Sequence, residues 1–458
     1  MAAAVAVLLV ATAGDASAAS RISALQPAGR QALDRGYERV FGTARGVVDG
    51  DERVRGLPAA GLRYAVEYEV LRPARGARPR LLLVEAENRS SPLLLNALAN
   101  LEPCVSGAPS AGRYPHAVSR ILRREDVAYA RVQWQTGVAA SVPATAQGVG
   151  EVIVRDFARA LRATARRRAL IGVSQGAFFV TTFLAEGLNA LPGGGRAYHQ
   201  ALTVDGNGNW MAINQLAGSG PQDPYLRPNG RPLPYRRILR RPRTDPLLVD
   251  VANYTDFYRL RAGLTARGSL PAGVRRYDWP SPHQSFGPEV VFGGLGCNGR
   301  RPVPLNPLRY GPYLRAVVRG MARGRLPASR RFALRPTPAT RSEGFNGLPG
   351  VEVPVPRIDA DGQPVGGVRF PEVELPLGRL LPVSLPPVVT TSSGAVCGNS
   401  GGYAPFSRAA IRRRYSERAY LAGYRRRLDR LARGGYVPAA DRAAMLRAAA
   451  ADFRAATR

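Results

Sequence analysis

The stretch Gly172-Val173-Ser174-Gln175-Gly176 is the residue pattern that most directly suggests chemistry. It fits G-x-S-x-G, in which a serine lies on a strained strand-to-helix turn and the glycines allow a close backbone approach that a Cβ would block. The apolar run Ala169–Val173 comes before the serine, and an apolar run of helix length, Ala177–Glu186, follows it. The pattern predicts that Ser174 is a nucleophile that attacks a carbonyl carbon.

A second stretch, Gly398-Asn399-Ser400-Gly401-Gly402, fits the same pattern, so the pattern alone does not identify a nucleophile. Ser400 follows a run of threonine and serine rather than an apolar strand, and Pro405 lies where a helix would have to form. Proline disfavours a helix interior. We therefore expect Ser400 to lie in a loop.

A nucleophilic serine needs a base, and histidine is the usual one because its pKa lies near neutral pH. The chain has three histidines, and hydrolases with this serine pattern carry the acid and then the histidine after the serine. His116 precedes Ser174 and is predicted to be a loop residue. His199 leaves no room for an intervening acid. His283 follows the strand candidate Val274–Trp279 and is the predicted base.

The acid must orient the histidine and stabilise its cation. Asp256 lies just after the strand candidate Pro246–Val251 and is the preferred residue, while Asp205, at the end of the strand Ala201–Val204, is the open alternative. Asp250 lies within a strand, and Asp278 is so near the histidine that a turn or solvent suits it better.

An oxyanion hole needs two backbone N–H donors. One is expected from Gln175, directly after the nucleophile, and the other from Asn88 or Arg89 in the loop after an early interior strand. The pattern calls for no cofactor and no metal ion.

Strand candidates alternate with helix candidates in the part of the chain that must position these residues. The strand candidates are Arg63–Leu71, Leu81–Ala86, Asp126–Trp134, Ala169–Val173, Ala201–Val204, Pro246–Val251 and Val274–Trp279, and the main helix candidates are Gly150–Ala165 and Ala177–Glu186. This alternation predicts an α/β fold with a mostly parallel sheet and helices on both faces. With the serine turn, it predicts an α/β-hydrolase fold.

The remaining segments are predicted from composition. The α/β-hydrolase domain is expected over 20–405, with a lid-like insertion at 206–244 before the acid-bearing strand and a Pro-rich extended region at 327–405. A helical extension, 406–458, is expected to pack on the domain. Its main helix is predicted from an N-cap at Ser416 to a stop at Gly434, and a last helix starts after Asp441.

The N-terminal residues 1–19 resemble a secretory signal peptide, because an apolar run is followed by Ala16-Ser17-Ala18-Ala19. The positive residues that usually precede such a run are absent, which leaves a truncated start as an alternative. A secreted or periplasmic protein without a transmembrane segment is expected. Cys104, Cys297 and Cys397 are either three buried thiols or include one disulfide, Cys297 with Cys397.

The chain of 458 residues carries 65 basic and 33 acidic residues, a formal net charge of +32, and every basic residue is arginine. A chain without lysine indicates a compositional bias, and no nucleic-acid recognition motif accompanies the charge, so no specific nucleic-acid partner is expected. Attraction to an anionic surface or polymer is physically reasonable.

The chain resembles a poorly characterised bacterial family, the alpha/beta hydrolase domain family, from about Ala65 onward. The elements that carry the resemblance are Asn88-Arg89, Gln133-Trp134-Gln135, Ser174-Gln175, Gly187-Leu188-Asn189, Gly195-Arg196, Gly366-Gly367-Val368-Arg369-Phe370-Pro371, His283 and the helix from Tyr415. The family often has two acids where this chain has Tyr254 and Asp256, which favours Asp256. The resemblance implies an α/β-hydrolase fold and ester hydrolysis without a cofactor.

Two functions are therefore predicted. The first is an exported serine hydrolase that cleaves a small or polymeric carboxylic ester through an acyl-enzyme, with amides and thioesters open as substrates. The alternative is a catalytically inactive, arginine-rich protein that binds an anionic polymer on a hydrolase scaffold.

Overall fold

The computed structural model describes residues 20–52, 54–88, 92–99, 116–211, 232–283, 306–340, 352–383 and 401–458. Within these residues a nine-stranded sheet forms the centre of the protein. Its strands are β1 (Arg21–Leu33), β2 (Tyr37–Val48), β3 (Leu62–Pro73), β4 (Leu81–Ala86), β5 (Val127–Val132), β6 (Arg167–Val173), β7 (Gln200–Val204), β8 (Leu247–Asn253) and β9 (Val274–Trp279).

The strands lie in the order β1-β2-β3-β5-β4-β6-β7-β8-β9. β1, β2, β3 and β5 pair antiparallel along one side of the sheet, whereas all neighbours from β5 to β9 are parallel. The interior strand β4 is buried at every position, as its continuous apolar run requires. The carboxyl ends of the parallel strands therefore meet at one edge, where the loops after β4, β6, β7, β8 and β9 come together.

Helices cover both faces of this sheet. The described helices are α1 (Leu94–Ala99), α2 (His116–Glu125), α3 (Val149–Ala160), α4 (Gln175–Glu186), α5 (Tyr235–Ile238), α6 (Asp256–Arg259), α7 (Gly263–Ala266), α8 (Gly311–Arg323), α9 (Pro371–Glu374), α10 (Arg408–Arg414), α11 (Glu417–Arg433) and α12 (Arg442–Thr457).

Alternate side chains of β4 enter different hydrophobic cores. Leu81 and Leu83 pack in the core that includes α1, α2, α8 and the C-terminal helices, and Leu82 and Val84 pack in the core that includes α3, α4 and α5. The alternation follows from the two-residue period of a strand, which points successive side chains to opposite faces. The predicted arrangement of a mostly parallel sheet between helical layers is confirmed.

The N-terminal hairpin of β1 and β2 was not predicted, since the first strand expected from the sequence was Arg63–Leu71. β1 has no buried residue, and it contains Pro27 and Gly29, which weaken a strand pattern. β1 lies at the edge of the sheet. An edge strand without a buried face leaves no apolar alternation for the sequence to show.

In the C-terminal region the chain first runs alongside β9 and later forms the C-terminal helices. Tyr277 of β9 pairs with Arg330 in a parallel bridge, and two short antiparallel strands, β10 (Gly378–Leu381) and β11 (Gly402–Pro405), follow. The chain after 405 is helical, as expected. Ser416 caps α11 by accepting the N–H of Ala419 at 3.2 Å.

Several predicted features lie outside the described residues: the signal-like segment 1–19, Arg89, the three cysteines, Ser400 and the larger part of the insertion. The residues after Ser400 form β11 rather than a helix, which agrees with the expectation that no serine turn forms there. None of the helices in the described ranges is long and apolar enough to cross a membrane.

Candidate active site

Ser174 lies on the turn between β6 and α4, with φ 56° and ψ −118°. This positive φ costs a serine roughly 1–3 kcal/mol and persists only where the surrounding structure enforces it. The backbone here is tightly packed, because a Cβ on Gly176 would lie 2.1 Å from the carbonyl oxygen of Ala86, and one on Gly172 would lie 2.1 Å from that of Gly176. Gly176 is therefore required by the close approach of β4, and Gly172 by the tightness of the turn itself.

His283 lies four residues after the end of β9, as the sequence predicted for the base. Its Nε2 lies 3.2 Å from Ser174 Oγ, and its Nδ1 lies 2.7 Å from Asp256 Oδ1. The His283 backbone N–H donates to Thr255 Oγ1 at 2.6 Å, which fixes the loop against the segment that carries the acid. The structure thus brings together the three residues that the sequence placed far apart.

Asp256 is the first residue of α6, just after β8. Its Oδ2 accepts the side-chain N–H of Asn207 at 2.9 Å and the backbone N–H of Asn253 at 2.8 Å. With the histidine on Oδ1, the carboxyl group receives three N–H donors. Such bonds hold the carboxyl group in one orientation. The Asp256 carboxylate can therefore keep the Nδ1 of His283 protonated and leave Nε2 to face Ser174.

Asp205, the rival acid, follows β7 with φ 61°. Its Oδ1 accepts the side-chain N–H of Asn253 and lies 3.9 Å from His283 Nδ1, beyond hydrogen-bond range. Burial and the Asp256 carboxylate both raise the pKa of Asp205 well above its ordinary value. Asp205 and Asp256 thus share one site, but Asp256 is the residue bonded to the histidine.

The candidate oxyanion donors lie on both sides of Ser174. Gln175 begins α4, so the positive end of the helix dipole lies next to Ser174. Asn88, after β4, donates from its side chain to the carbonyl oxygen of Val173 at 3.5 Å. The loop after β4 therefore lies beside the serine turn, as the sequence predicted.

Three side chains anchor the β4 end of that loop and the helix after it. Glu85 accepts the N–H groups of Leu93 and Leu94 at 2.7 and 2.8 Å, and burial raises its pKa to about 7. Trp134 Nε1 donates to the carbonyl oxygen of Glu87 at 3.1 Å. Arg131 also holds this segment, because its guanidinium donates to the Glu87 carboxylate.

The other two histidines lie elsewhere. His199 precedes β7 at the amino ends of the parallel strands, away from Ser174, where its Nδ1 accepts the backbone N–H of Arg168 at 3.3 Å. Burial and the Arg168 guanidinium lower the pKa of His199, so it stays neutral near pH 7. His116 is the first residue of α2 rather than a loop residue.

Asp278 was expected in a turn or in solvent, but it is fully buried in β9. Its Oδ1 accepts from Arg276 Nε at 2.7 Å. Arg276, also fully buried, donates to Tyr235 Oη at 2.9 Å and to Thr265 Oγ1 at 2.6 Å. The pair ties α5 and α7 to the strand that leads to His283. Removing one partner of such a buried ion pair is strongly destabilising, because the other charge is left uncompensated.

Asp205, Asp256 and His283 could each offer one ligand atom to a metal ion, since these atoms lie within 4.8 Å of one another. The separation of the Asp256 and His283 atoms is 2.7 Å. Two ligands about 2.0 to 2.1 Å from a tetrahedral ion would lie roughly 3.3 Å apart. The arrangement fits a direct carboxylate–imidazole hydrogen bond better than a shared ion.

Sequence reasoning missed the polar residues that hold the acid and the histidine: Asn207, Asn253, Thr255 and Ser281. Ser281 Oγ donates to Asn253 Oδ1, and Asn253 in turn contacts both acids. A signal was present, because short side chains with amide or hydroxyl groups cluster directly after β7 and β8. Polar residues at the carboxyl ends of parallel strands are typical of functional loops.

Comparison with known proteins places these features in context. The family described as "Alpha/beta hydrolase domain" matches residues 115–447. Among solved structures, a cold-adapted esterase from an Arctic intertidal metagenomic library is 14% identical, with a TM-score of 0.31 over 57% of this chain and 91% of that one. A glucuronoyl esterase from Teredinibacter turnerae is 11% identical, with a TM-score of 0.33 over 56% and 74%. No curated protein matches the sequence significantly.

Proposed function

The chain belongs to the alpha/beta hydrolase domain family, and we propose that it is an exported serine hydrolase that cleaves carboxylic esters through an acyl-enzyme. The observation that carries the proposal is the continuous line of contacts from Ser174 Oγ to His283 Nε2 at 3.2 Å and from His283 Nδ1 to Asp256 Oδ1 at 2.7 Å. A nucleophile, a base and an orienting acid within hydrogen-bond reach are the requirements of covalent acyl transfer.

The reaction would proceed in two halves. In the first, Ser174 Oγ attacks the ester carbonyl carbon while its proton moves to His283 Nε2. The imidazolium then gives that proton to the departing alkoxide, and the acyl group remains on Ser174. In the second half, His283 takes a proton from water, the hydroxide attacks the acyl carbon, and Ser174 leaves with the proton restored. Asp256 stays ionised throughout and stabilises the imidazolium.

The tetrahedral oxyanion would be held by the backbone N–H of Gln175 and a second N–H from the loop at Asn88 and Arg89. The position of Gln175 at the start of α4 supports the first assignment, because helix N-termini present N–H groups and a positive dipole end. The bonds of Glu85 and Trp134 support the second, because they hold the backbone on both sides of that loop. Loss of one such donor typically costs ~10²–10³ in kcat.

Hydrolysis of p-nitrophenyl esters of increasing acyl length tests this proposal. We expect Ser174→Ala to lower kcat/KM by at least ~10⁴. Ser400→Ala, which changes the other serine in the same sequence pattern, is the matched control and should stay within about twofold of the wild type. Equal activity of Ser174→Ala and the wild type would overturn the proposal.

The same variants separate the alternative function. A catalytically inactive protein that binds an anionic polymer would retain binding in Ser174→Ala, would hydrolyse no ester, and would lose affinity steeply with added salt. Export is tested by the N-terminal sequence of the protein recovered from culture medium or periplasm, which should lack residues 1–19.

A further inference from the structure

Asp205 and Asp256 form a pair of buried acids beside one histidine. Both residues are fully buried, and a carboxylate oxygen of each lies within 4.8 Å of the other. They lie on neighbouring loops because β7 and β8 are parallel partners and both acids follow the carboxyl ends of these strands. The proposed mechanism uses only Asp256, which leaves the role of Asp205 open.

The hydrogen bonds divide unequally between the two acids. Asp256 accepts three N–H donors, from Asn207, Asn253 and His283. Asp205 accepts one side-chain N–H, from Asn253, and its Oδ2 has no hydrogen-bond partner among the described residues. Like charges in one buried site cannot both ionise easily. The proton of the pair therefore resides on Asp205, and the negative charge on Asp256.

We propose that Asp205 is a positioning residue of this site that holds a proton while Asp256 is ionised, and that it becomes the anionic partner of His283 when the Asp256 carboxylate is absent. The inference rests on the proposed hydrolase function. Its geometric basis is the 3.9 Å between Asp205 Oδ1 and His283 Nδ1, which is too long for a hydrogen bond but short enough for strong attraction between unlike charges.

The groups around Asp205 support this exchange of charge. Asp205 is faced by Asp256 and Asn253 from the segment after β8, by His283 from the segment after β9, and by Asp250 from within β8. Burial has the largest effect in raising the pKa of Asp205. The neighbouring carboxyl groups raise it further, and the effect of Asp256 is larger than that of Asp250. Removing Asp256 takes away that repulsion, so the pKa of Asp205 falls and its carboxyl can ionise beside the His283 imidazolium.

A double-mutant cycle with Asp205→Asn and Asp256→Ala tests the proposal. Alanine is chosen for Asp256 because an asparagine there could donate to Nδ1 and impose the wrong tautomer on His283. Removal of the triad acid of a serine protease lowers kcat by ~10⁴. We expect Asp256→Ala to lose only ~10², because the second carboxylate remains, and Asp205→Asn to lose less than about tenfold. The double variant should fall to the ~10⁴ level.

The cycle is measured as the rate of Ser174 inactivation by a fluorophosphonate and as kcat/KM for p-nitrophenyl acetate, with thermal unfolding of each variant as a check of folding. Should Asp256→Ala fail to fold, Asp256→Ser enters the same cycle. The acid limb of the pH–rate profile gives a second readout that a purely structural role would not move. It should lie about one pH unit lower in the double variant than in Asp256→Ala, because no carboxylate then favours the charged imidazole.

Two results would overturn the inference while leaving the proposed hydrolase intact. One is a cycle in which Asp205→Asn has the same small effect with and without Asp256, which means that the two acids act independently. The other is an acid limb at the same pH in the single and double variants. If instead wild-type Ser174 is not labelled, the proposed function itself fails, so the two failures are distinguishable.

Discussion

Replacing Glu85 by glutamine should remove a pH-dependent penalty on folding. Glu85 is fully enclosed, and burial raises its pKa from 4.5 to about 7. Glutamine has the shape of the protonated acid: its oxygen can accept the N–H groups of Leu93 and Leu94, and its amide can donate to Tyr129 Oη, which now donates to Glu85 Oε2 at 2.7 Å. The variant should therefore keep the loop anchored without carrying a buried charge.

The pH dependence of stability follows from the direction in which folding changes the pKa of Glu85. The folded protein holds the Glu85 proton more tightly than the unfolded chain, so the stabilising contribution is complete below pH 4.5 and is lost as the pH rises through about 7. The rise in the pKa of Glu85 from 4.5 to about 7 corresponds to about 3 kcal/mol in total. Between pH 5 and pH 8 the stability of Glu85→Gln relative to the wild type should rise by about 2.5 kcal/mol.

Urea unfolding of both proteins at pH 5, 6, 7 and 8 measures this difference, provided that the m-values agree. Glu67→Gln, at an exposed position of β3, is the control for the loss of one carboxylate. The stability difference between wild type and Glu85→Gln should therefore change between pH 5 and pH 8. An equal difference at both pH values would mean that folding does not raise the pKa of Glu85.

Three further substitutions test other parts of the site and fold. Gly176→Ala places a Cβ 2.1 Å from the carbonyl oxygen of Ala86; we expect esterase activity to fall more than ~10²-fold and stability to fall by about 1–3 kcal/mol, measured by kinetics and urea unfolding. Asn207→Ala removes one N–H donor from Asp256 and should lower kcat about tenfold with little change in KM. A rise in KM with kcat unchanged would point to substrate binding instead. Ser416→Ala removes the α11 cap and should cost about 1 kcal/mol of stability with ester hydrolysis unchanged, while Ser416→Thr should restore most of it.

The interior strands could be predicted closely from the sequence because burial on both faces leaves a continuous apolar run. The predicted bounds of Leu81–Ala86 are those of the interior strand β4. The bounds of Val274–Trp279 also match β9, although β9 is the last strand of the sheet and carries charged residues. The hairpin of β1 and β2 escaped prediction for the opposite reason, because no side chain of β1 is more than partly buried. Hydrophobic periodicity in a sequence reflects burial, so an edge strand that is only partly buried leaves a weak pattern.

The site was predictable in its order but not in its contacts. The rule that acid and histidine follow the serine selects His283, which then lies 3.2 Å from Ser174. It does not separate Asp256 from Asp205, since both follow parallel neighbouring strands and reach the same histidine. Asp278 shows the same limit, because a sequence cannot reveal that Arg276 neutralises it inside the core.

Covalent labelling of the folded wild-type protein with a fluorophosphonate, followed by peptide mapping, tests the central claim most directly. We expect one phosphonyl group on Ser174, no label in Ser174→Ala, and much slower labelling in His283→Ala, because the base that removes the serine proton is gone. Absence of label on Ser174 in the folded protein, or stoichiometric label on Ser400, would show that Ser174 is not the nucleophile.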